Sequence, residues 1–345
     1  MNITRTTIVD FIRRSSASAI SLVGLSVLIF LIARILPGDP VIMALGERAP
    51  IWAIERMRAQ LHLNEPIYMQ YYYWLRDVLS GSLGESLVTK REVWVDITMY
   101  FPATLELILW SMWLNVLLAM TFGLIGGLRQ NSWIDNLLRL FSYVGVSVPV
   151  FAFGVMAILL FCWTLHVFPV MGRLSPTTML PPRVTGMYTF DALVSGDFSA
   201  FLDAAWHIVL PALATVLAGI AQGQRVMRSS VVENSRKDYI LHSLAHGIPR
   251  RVVVFKYLLK PSIIPLVSLT GMSFAMALSS LFIVESIFVW PGFAYYGMQS
   301  FLNKDLNAIV GVIMMIGLTY AISNMVVDYV VGWLDPRTRI MRRSK

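Results

Sequence analysis

Six long apolar runs divide this chain, and their length restricts the fold more than any other feature. A helix needs about 20 apolar residues to cross a bilayer, and it satisfies its own backbone hydrogen bonds in lipid. Of the 345 residues, 57 % are hydrophobic and only 14 % are charged, which is too little charged surface for a soluble protein of this size. We predict an all-α polytopic membrane protein with about six transmembrane helices, at 16–36, 104–128, 144–165, 207–227, 263–290 and 307–333.

The positions of the basic residues indicate the orientation of these spans. The net charge of +8 would also be compatible with nucleic-acid binding. Most of the 28 Lys and Arg residues, however, flank the inner ends of the spans if the amino terminus is cytoplasmic, as the positive-inside rule requires. Because they follow membrane edges and do not form one basic face, we expect no nucleic-acid partner, an inner (plasma) membrane location and both termini in the cytoplasm.

The chain is predicted to contain a single membrane domain with additions on its outer side. The segments are, in order, a cytoplasmic lead at 1–15, a first span at 16–36, an external region at 37–103, a transmembrane core at 104–333 with an external loop at 166–206, and a cytoplasmic tail at 334–345. We interpret the first span as a retained signal anchor, because no small-residue cleavage site follows it. The external region contains helix-like stretches at 52–61 and 68–79. The single cysteine, Cys162, lies in an apolar span and excludes an intrachain disulfide.

Prolines interrupt several of the spans. Pro149, Pro211 and Pro265 each remove a backbone donor and bend a helix. Two interpretations stay open, ordinary packing kinks and a role in gating.

The segment 225–261 is polar and basic between two apolar runs. Its helical pattern continues from the fourth span to about His246. Gly247 and Pro249 then predict a sharp turn, because glycine accepts the left-handed conformation that ends a helix and proline prevents its continuation. A second amphipathic piece follows at 250–260, and Pro261 leads into the fifth span. Helix, turn and helix would form a rigid projection suited to docking a soluble partner.

This segment resembles the cytoplasmic "EAA" loop of binding-protein-dependent ABC importer permeases, more specifically the dipeptide, oligopeptide and nickel branch. The resemblance is carried by Arg225, Arg228-Ser229, Asp238-Tyr239-Ile240, Ala245, Gly247 and Pro265. It extends over nearly the whole chain through RILPGDP at 34–40, LHLNEPIYMQYYYWL at 61–75, GSLGES at 81–86, PATLEL at 102–107, VTGMYTFDAL at 184–193, ESIFVWPGF at 285–293 and DPRTR at 335–339. Where relatives often carry RTARAKG, this chain reads LHSLAHG at 241–247, and the glutamate that names the general motif is absent, as is usual in this branch.

The resemblance implies an ABC importer type I permease fold and a subunit of a larger complex. Its implied partners are a paralogous permease, two ATP-binding subunits, an external solute-binding protein and the lipid bilayer. ATP and magnesium would be bound by the partner subunits, with no cofactor in this chain. The coupling contact with the ATPase would be made by Asp238, Tyr239, His242, Ala245, His246 and Gly247. The cargo would be di- or oligopeptides, with nickel, glutathione or oligosaccharides as alternatives.

Two carboxylates near the outer ends of spans are candidates for a pathway or gate. Glu285 and Glu106 are costly if charged within a membrane and often mark function there, although a structural hydrogen bond at the end of each span is the favoured interpretation. Asn324 and Asp328 share a face of the last span, where interhelical bonding is the expected role.

The sequence carries no signature of catalysis. His242 and His246 have a spacing that can bind zinc, but a third ligand is missing, so we expect no metal site. No stretch ends in Gly-Lys-Ser or Gly-Lys-Thr, and any ATPase must therefore be another chain. A secondary transporter driven by an ion gradient would need paired ionisable residues near mid-membrane, which the spans largely lack. A membrane scaffold or receptor subunit is a further alternative.

Overall fold

The structure, a computed structural model, describes residues 23, 24, 26–28, 30–32, 40–46 and 48–334. Within these residues the chain is helical, and the only extended pairing is an isolated bridge between Glu85 and Glu92, so the predicted all-α class is confirmed. The cytoplasmic lead, part of the first span, nearly all of the tail and the side chains of Asn324 and Asp328 lie outside what the structure describes.

The described helices are numbered here in chain order. They are α1 (Pro40–Leu45), α2 (Ile51–Gln60), α3 (Ile67–Leu79), α4 (Val93–Leu128), α5 (Trp133–Ser147), α6 (Val150–Ala157, continued by a π-helical turn Ile158–Thr164), α7 (Tyr188–Ser195), α8 (Phe198–Ser235), α9 (Asp238–Ala245), α10 (Arg250–Val252, continued by a π-helical segment Val253–Leu258), α11 (Leu259–Ile287), α12 (Phe293–Leu302) and α13 (Leu306–Leu334). The helix-like stretches predicted at 52–61 and 68–79 correspond to α2 and α3.

Four helical stretches of the described chain are long and apolar enough to cross a membrane. They are Val93–Leu128, Phe198–Ser235, Arg250–Gly271 and Leu306–Ser323. The pair α5 and α6 supplies a fifth if it is taken as one broken span.

The bend predicted at Pro149 is confirmed, and it divides the predicted span at 144–165 between α5 and α6. The chain bends by 110° between α5 and α6. Pro149 has no N–H and disfavours helical backbone in the residue before it, and Val148 accordingly adopts φ −82° and ψ 121°. Pro211 and Pro265, by contrast, lie inside continuous helices.

The chain forms two compact units. One is drawn from the chain up to Pro102 together with Gly292–Ile322, and the other contains Ala103–Pro291 and the chain from Ser323 onward. In the second unit, α8 is the central element, and α5, α6, α7 and α11 all pack against it.

Glycines allow neighbouring helices to approach α8 closely. Gly123 and Gly127 of α4 face Met227 and Val231 of α8. A Cβ atom added at Gly123 would lie 2.5 Å from the Met227 Cβ, and one at Gly127 would lie 2.6 Å from the Val231 Cγ1. Small residues four apart are a common means of bringing membrane helices together, and here they seat α4 directly on α8.

The region 166–206 begins irregularly and contains α7 and the first turns of α8. Asp191 organises it, since its carboxylate accepts hydrogen bonds from the backbone N–H of Thr185 at 2.8 Å, of Gly186 at 2.8 Å and of Val184 at 3.3 Å, and from the Thr185 hydroxyl at 2.7 Å. Burial by itself raises the pKa of Asp191, but these bonds to the charged form outweigh it and hold the pKa below its usual range.

We expect Gly127→Ala to destabilise the protein by about 1–3 kcal/mol, the usual cost of overpacking. The new methyl group would meet Val231 within the α4–α8 contact. Gly24→Ala is a matched control, because nothing lies within 4 Å of a Cβ atom there. Denaturation of the purified variants in detergent would measure the difference in the free energy of unfolding. Equal stability of the two variants would refute the close helix contact.

We expect Asp191→Asn to loosen residues 184–186 at neutral pH, because the amide cannot accept all of these bonds. The folded-state pKa of Asp191 is lowered, so its stabilising contribution is full above the unfolded pKa of about 4. It is lost as the pH falls through the folded pKa. Hydrogen exchange of this segment, corrected for the intrinsic pH dependence, should differ between wild type and variant at pH 7 and converge at strongly acidic pH. A difference that persists at all pH values would contradict this assignment.

Candidate functional site

The segment between α8 and α11 is built from two helix breaks. Sequence analysis predicted one helix continuing to about His246, and this is wrong, because α8 ends at Ser235 and α9 begins at Asp238. The Ser235 hydroxyl donates to the carbonyl of Val232 at 2.8 Å, a local bond that competes with helix continuation. Lys237 is extended, with φ −74° and ψ 144°. The chain therefore turns sharply into a short separate helix.

The predicted turn at Gly247 is confirmed. Its φ is +74°, in the left-handed region that side chains disfavour. The Gly247 N–H donates to the carbonyl of Leu244 at 3.0 Å, and the Ile248 N–H donates to that of Ser243 at 3.2 Å, which satisfies carbonyls at the end of α9. A Cβ atom at Gly247 would have nothing within 4 Å, so backbone conformation alone restricts this position.

After the turn, one helical rod leads into the membrane. Arg250–Val252, the π-helical Val253–Leu258 and α11 follow one another without a break. The predicted amphipathic piece at 250–260 thus continues through Pro261 into the fifth span as one helix. Proline is tolerated where local widening of the helix adjusts the backbone, and the π-helical segment directly precedes it.

One side chain attaches α9 to the rest of the second unit. Ile240 is only 3 % exposed and belongs to a hydrophobic cluster that draws on α4, α8, the π-helical segment and α11. The other buried members are Ala119, Met227, Val231, Val253, Leu258 and Leu266. Ile240 therefore packs α9 against four neighbouring elements.

Most of the remaining residues of α9 and its turn are exposed, although Ile248 also packs against the cluster. All six residues predicted for coupling are exposed: Asp238, Tyr239, His242, Ala245, His246 and Gly247. Between them lie Leu241 and Leu244, at 53 % and 45 % exposure, which sequence analysis left out of the set. The surface therefore combines an apolar patch with a carboxylate and two imidazoles, a composition typical of a protein contact.

His242 and His246 are both exposed, one turn apart at the end of α9. The Nδ1 atom of His246 lies 2.8 Å from the carbonyl oxygen of His242, within the helix. In the part of the chain that the structure describes, no group of three His, Cys, Asp or Glu side chains could hold a metal ion.

A buried ion pair braces the last turns of α8. Arg228 donates to both carboxylate oxygens of Asp135 at the start of α5, from Nε at 2.6 Å and from a terminal nitrogen at 2.7 Å. Asp135 is fully buried and also accepts from the Asn131 N–H at 2.9 Å. Such a bidentate pair fixes the relative orientation of the two side chains in addition to balancing their charges. Sequence analysis singled out Arg228 but missed its partner, although an acidic residue in the first turn of an amphipathic helix was a visible signal.

Further polar contacts join α8 to its neighbours near the same end. The Asn234 side chain donates to the Ser262 hydroxyl of α11 at 3.1 Å. The Ser142 hydroxyl of α5 donates to the side-chain carbonyl of Gln224. Together with the ion pair, these bonds hold α8 against α5 and α11 just before α9 begins.

Glu106 is held by loop 166–206. Its carboxylate is 2 % exposed and pairs with Arg173 at 2.6 Å, while Thr189 donates to it from both N–H and hydroxyl at 2.6 Å. The Arg173 guanidinium also lies 3.6 Å from the centroid of the Tyr188 ring. The charge on Glu106 is therefore compensated by a buried cation and two hydrogen bonds.

Glu285 lies at the end of α11 and is fully buried. It accepts a hydrogen bond of 2.5 Å from the Thr104 hydroxyl. Nearby, the indole N–H of Trp290 donates to the carbonyl of Ala103 at 3.0 Å. These contacts join the end of α11 to the part of α4 that follows Pro102.

Two family descriptions match almost the entire chain. Residues 119–340 match "Binding-protein-dependent transport system inner membrane component", and residues 8–108 match "Binding-prot-dependent transport system membrane comp, N-term".

Similar proteins of known assignment align over nearly their whole length. The probable D,D-dipeptide transport system permease protein DdpB of Escherichia coli (strain K12) is 34 % identical over 314 residues, which are 91 % of this chain and 92 % of that protein. The di/tripeptide transport system permease protein DppB of Pseudomonas aeruginosa is 34 % identical over 325 residues, 92 % of this chain and 95 % of that protein. The glutathione transport system permease protein GsiC of Escherichia coli O6:H1 is 31 % identical over 314 residues, 91 % of this chain and 93 % of that protein.

The matches agree with the apolar helices and with the helix–turn–helix segment described above, and they confirm the resemblance first indicated by that segment. The chain belongs to the family of binding-protein-dependent transport system inner membrane components, and it is a multi-pass permease subunit.

Proposed function

We propose that this chain forms half of the translocation path of an ATP-driven importer for di- or oligopeptides, and that α9 docks on a separate ATPase subunit. The observation that carries the coupling assignment is that one side chain of α9 is buried and most of the others are exposed. Ile240 is buried in the core cluster, whereas Asp238, Tyr239 and their neighbours are exposed on a short helix bounded by two fixed turns. A partner bound to the exposed face would, when it moves, also move the helices that pack around Ile240.

The route of that movement begins at the Ile240 cluster. From there it reaches α8 and α11 through side-chain packing, and α5 through the Asp135–Arg228 pair. Closely packed interfaces transmit small displacements because they do not deform continuously. ATP-driven closure of the ATPases would thus change the access of the path from one side of the membrane to the other.

The complex would contain this chain, a paralogous permease, two ATP-binding subunits and an external solute-binding protein. ATP and magnesium would be bound by the ATPase subunits, and this chain would catalyse no reaction itself. The family description supports dependence on a binding protein. Both termini, and α9 with them, would lie on the cytoplasmic side, as the basic residues in these regions favour.

The proposed cargo rests on the named relatives. They transport D,D-dipeptides, di- and tripeptides, and glutathione, and glutathione is itself a tripeptide. Cargo with peptide bonds and free charged ends is the shared chemistry. Nickel and oligosaccharides would be the alternative outcome of a direct uptake measurement.

For Glu106 and Glu285 we propose a structural role at the outer ends of α4 and α11. Arg173, Thr189 and Thr104 hold these carboxylates in hydrogen bonds of 2.5–2.6 Å. A gating carboxylate would have to exchange such partners during the cycle, at the cost of leaving a buried charge unpaired.

We expect the tagged chain, purified from native membranes in mild detergent, to bring with it a second permease and ATPase subunits. Reconstituted with the binding protein, this complex should accumulate a labelled dipeptide only when ATP is supplied. Mass spectrometry of the purified material would identify the subunits that come with the chain. Uptake of the labelled dipeptide into vesicles would measure transport with and without ATP. Uptake that follows an ion gradient without ATP would contradict the importer, whereas ATP-driven uptake of nickel or an oligosaccharide alone would change only the cargo.

We expect Gly247→Val to abolish uptake while the complex still assembles, because a β-branched residue resists a φ of +74°. Gly196→Val is a matched control. Gly196 closes α7 at φ +76° and also has nothing within 4 Å of an added Cβ atom, so the backbone strain is similar but lies far from α9 in the sequence. Equal loss of uptake in both variants would mean that strain alone, and not the geometry of α9, disables the transporter.

We expect Asp135→Asn to lower the free energy of unfolding by about 1.5–3 kcal/mol, because it removes the carboxylate that pairs with the half-buried Arg228. The double variant Asp135→Asn with Arg228→Met removes both charges and should recover most of that stability. If the ion pair transmits movement to α5, the double variant should still transport poorly and hydrolyse ATP without uptake. Full recovery of uptake along with stability would show that the pair only stabilises the fold.

A further inference from the structure

The helix α3, in the predicted external region, presents three different faces. Residues 70, 71, 74 and 78 share one side of the helix at the spacing of 3.6 residues per turn. Residues 68, 72, 75 and 79 share a second side, and residues 76 and 77 lie apart from it. Each side meets a different environment.

The first face of α3 packs against parts of the chain that belong to apolar runs. The ring of Tyr71 lies edge-on to Phe30 with centroids 5.3 Å apart, and the ring of Trp74 lies 5.8 Å from Phe30. The Tyr71 hydroxyl is 3.0 Å from the Ser26 hydroxyl. Trp74 also packs on Val310 in the second turn of α13. Both partners therefore come from apolar runs that are long enough to span a membrane.

The second face is apolar and exposed. Tyr68, Tyr72 and Leu79 are 72 %, 58 % and 80 % exposed, and Leu75 lies between them, partly covered. Four such side chains at i, i+4, i+7 and i+11 make a continuous stripe along the helix. The third face carries Arg76 and Asp77, which pair at 3.3 Å in an exposed position.

We propose that α3 lies in the membrane–water interface, with the stripe Tyr68, Tyr72, Leu75 and Leu79 buried in lipid and with Arg76 and Asp77 toward water. The stripe would thus contact the surface of the bilayer. This inference does not depend on how α9 couples to an ATPase. The helix would fix the outer part of the first unit to the membrane.

Lipid is favoured because α3 packs on an apolar run whose other side chains are exposed. Leu28 and Ile32, next to the residues that α3 contacts, are 55 % and 51 % exposed, and in a membrane protein such residues face lipid. Tyrosine suits the boundary because its ring is apolar and its hydroxyl reaches the headgroups. Arg76 and Asp77, which lie outside the stripe, supply the charged groups that an interfacial helix turns toward water.

The test uses the full chain in nanodiscs of phosphatidylcholine and phosphatidylglycerol. Cys162 is the only cysteine, so a Cys162→Ala background accepts one spin label at a chosen site. Tyr68→Cys, Tyr72→Cys and Leu79→Cys report on the stripe, and Asp77→Cys is the matched control on the same helix. Collision with oxygen, which concentrates in lipid, is compared with collision with a water-soluble nickel chelate, and thermal unfolding confirms that each labelled protein is folded.

We expect the oxygen-to-nickel accessibility ratio at the stripe to be at least about threefold higher than at position 77, since interfacial helices bury their apolar face about 5–10 Å into the headgroup boundary. Equal ratios at 72 and 77, with high nickel accessibility, would show that the stripe faces water and would overturn the proposal. Protection of all three stripe positions from both reagents would overturn it as well, because protein and not lipid would then cover the face. The three independent positions keep the result decisive if one label perturbs its surroundings.

Discussion

The approach of other helices to α8 depends on the absence of side chains at a few positions. Gly123 and Gly127 let α4 lie against Met227 and Val231, and Gly223 leaves room for Leu266 of α11 and Ala119 of α4. In a membrane no hydrophobic effect drives helices together, so close packing and interhelical hydrogen bonds must do so. The buried pair of Asp135 and Arg228 and the cluster around Ile240 both form along the helix that these contacts position.

Two groups of hydrogen-bonded charged side chains tie the helices of the second unit together. At one end of the second unit, Glu106 and Asp191 tie the irregular region 166–206 to α4 and α7 through charged hydrogen bonds. At the other end, Asp135, Arg228 and Asn234 join α5, α8 and α11. The middles of the helices are left mainly to apolar side chains, which avoids the cost of burying unpaired polar groups in lipid.

The sequence predicted local features well and long-range ones poorly. Apolar runs identified the long helices, and Gly247 with Pro249 identified the turn, because both signals act over a few residues. The break at Arg236 and Lys237 was missed, since no glycine or proline marks it and the turn depends on how α9 packs through Ile240. Pro149 and Pro261 look alike in the sequence, yet one marks a 110° bend and the other lies inside a rod. The partners of Glu106 and Arg228 lie 67 and 93 residues away, beyond the reach of any local pattern.

Attachment of α9 and its proposed recognition by an ATPase would be carried by different side chains. Ile240 alone is buried, and its packing does not involve the identity of its exposed neighbours. The surface that faces a partner can therefore diverge between paralogous permeases without any repacking of the membrane core. One could exchange the exposed α9 residues between such subunits and keep Ile240. This exchange would direct one membrane domain to a different ATPase subunit.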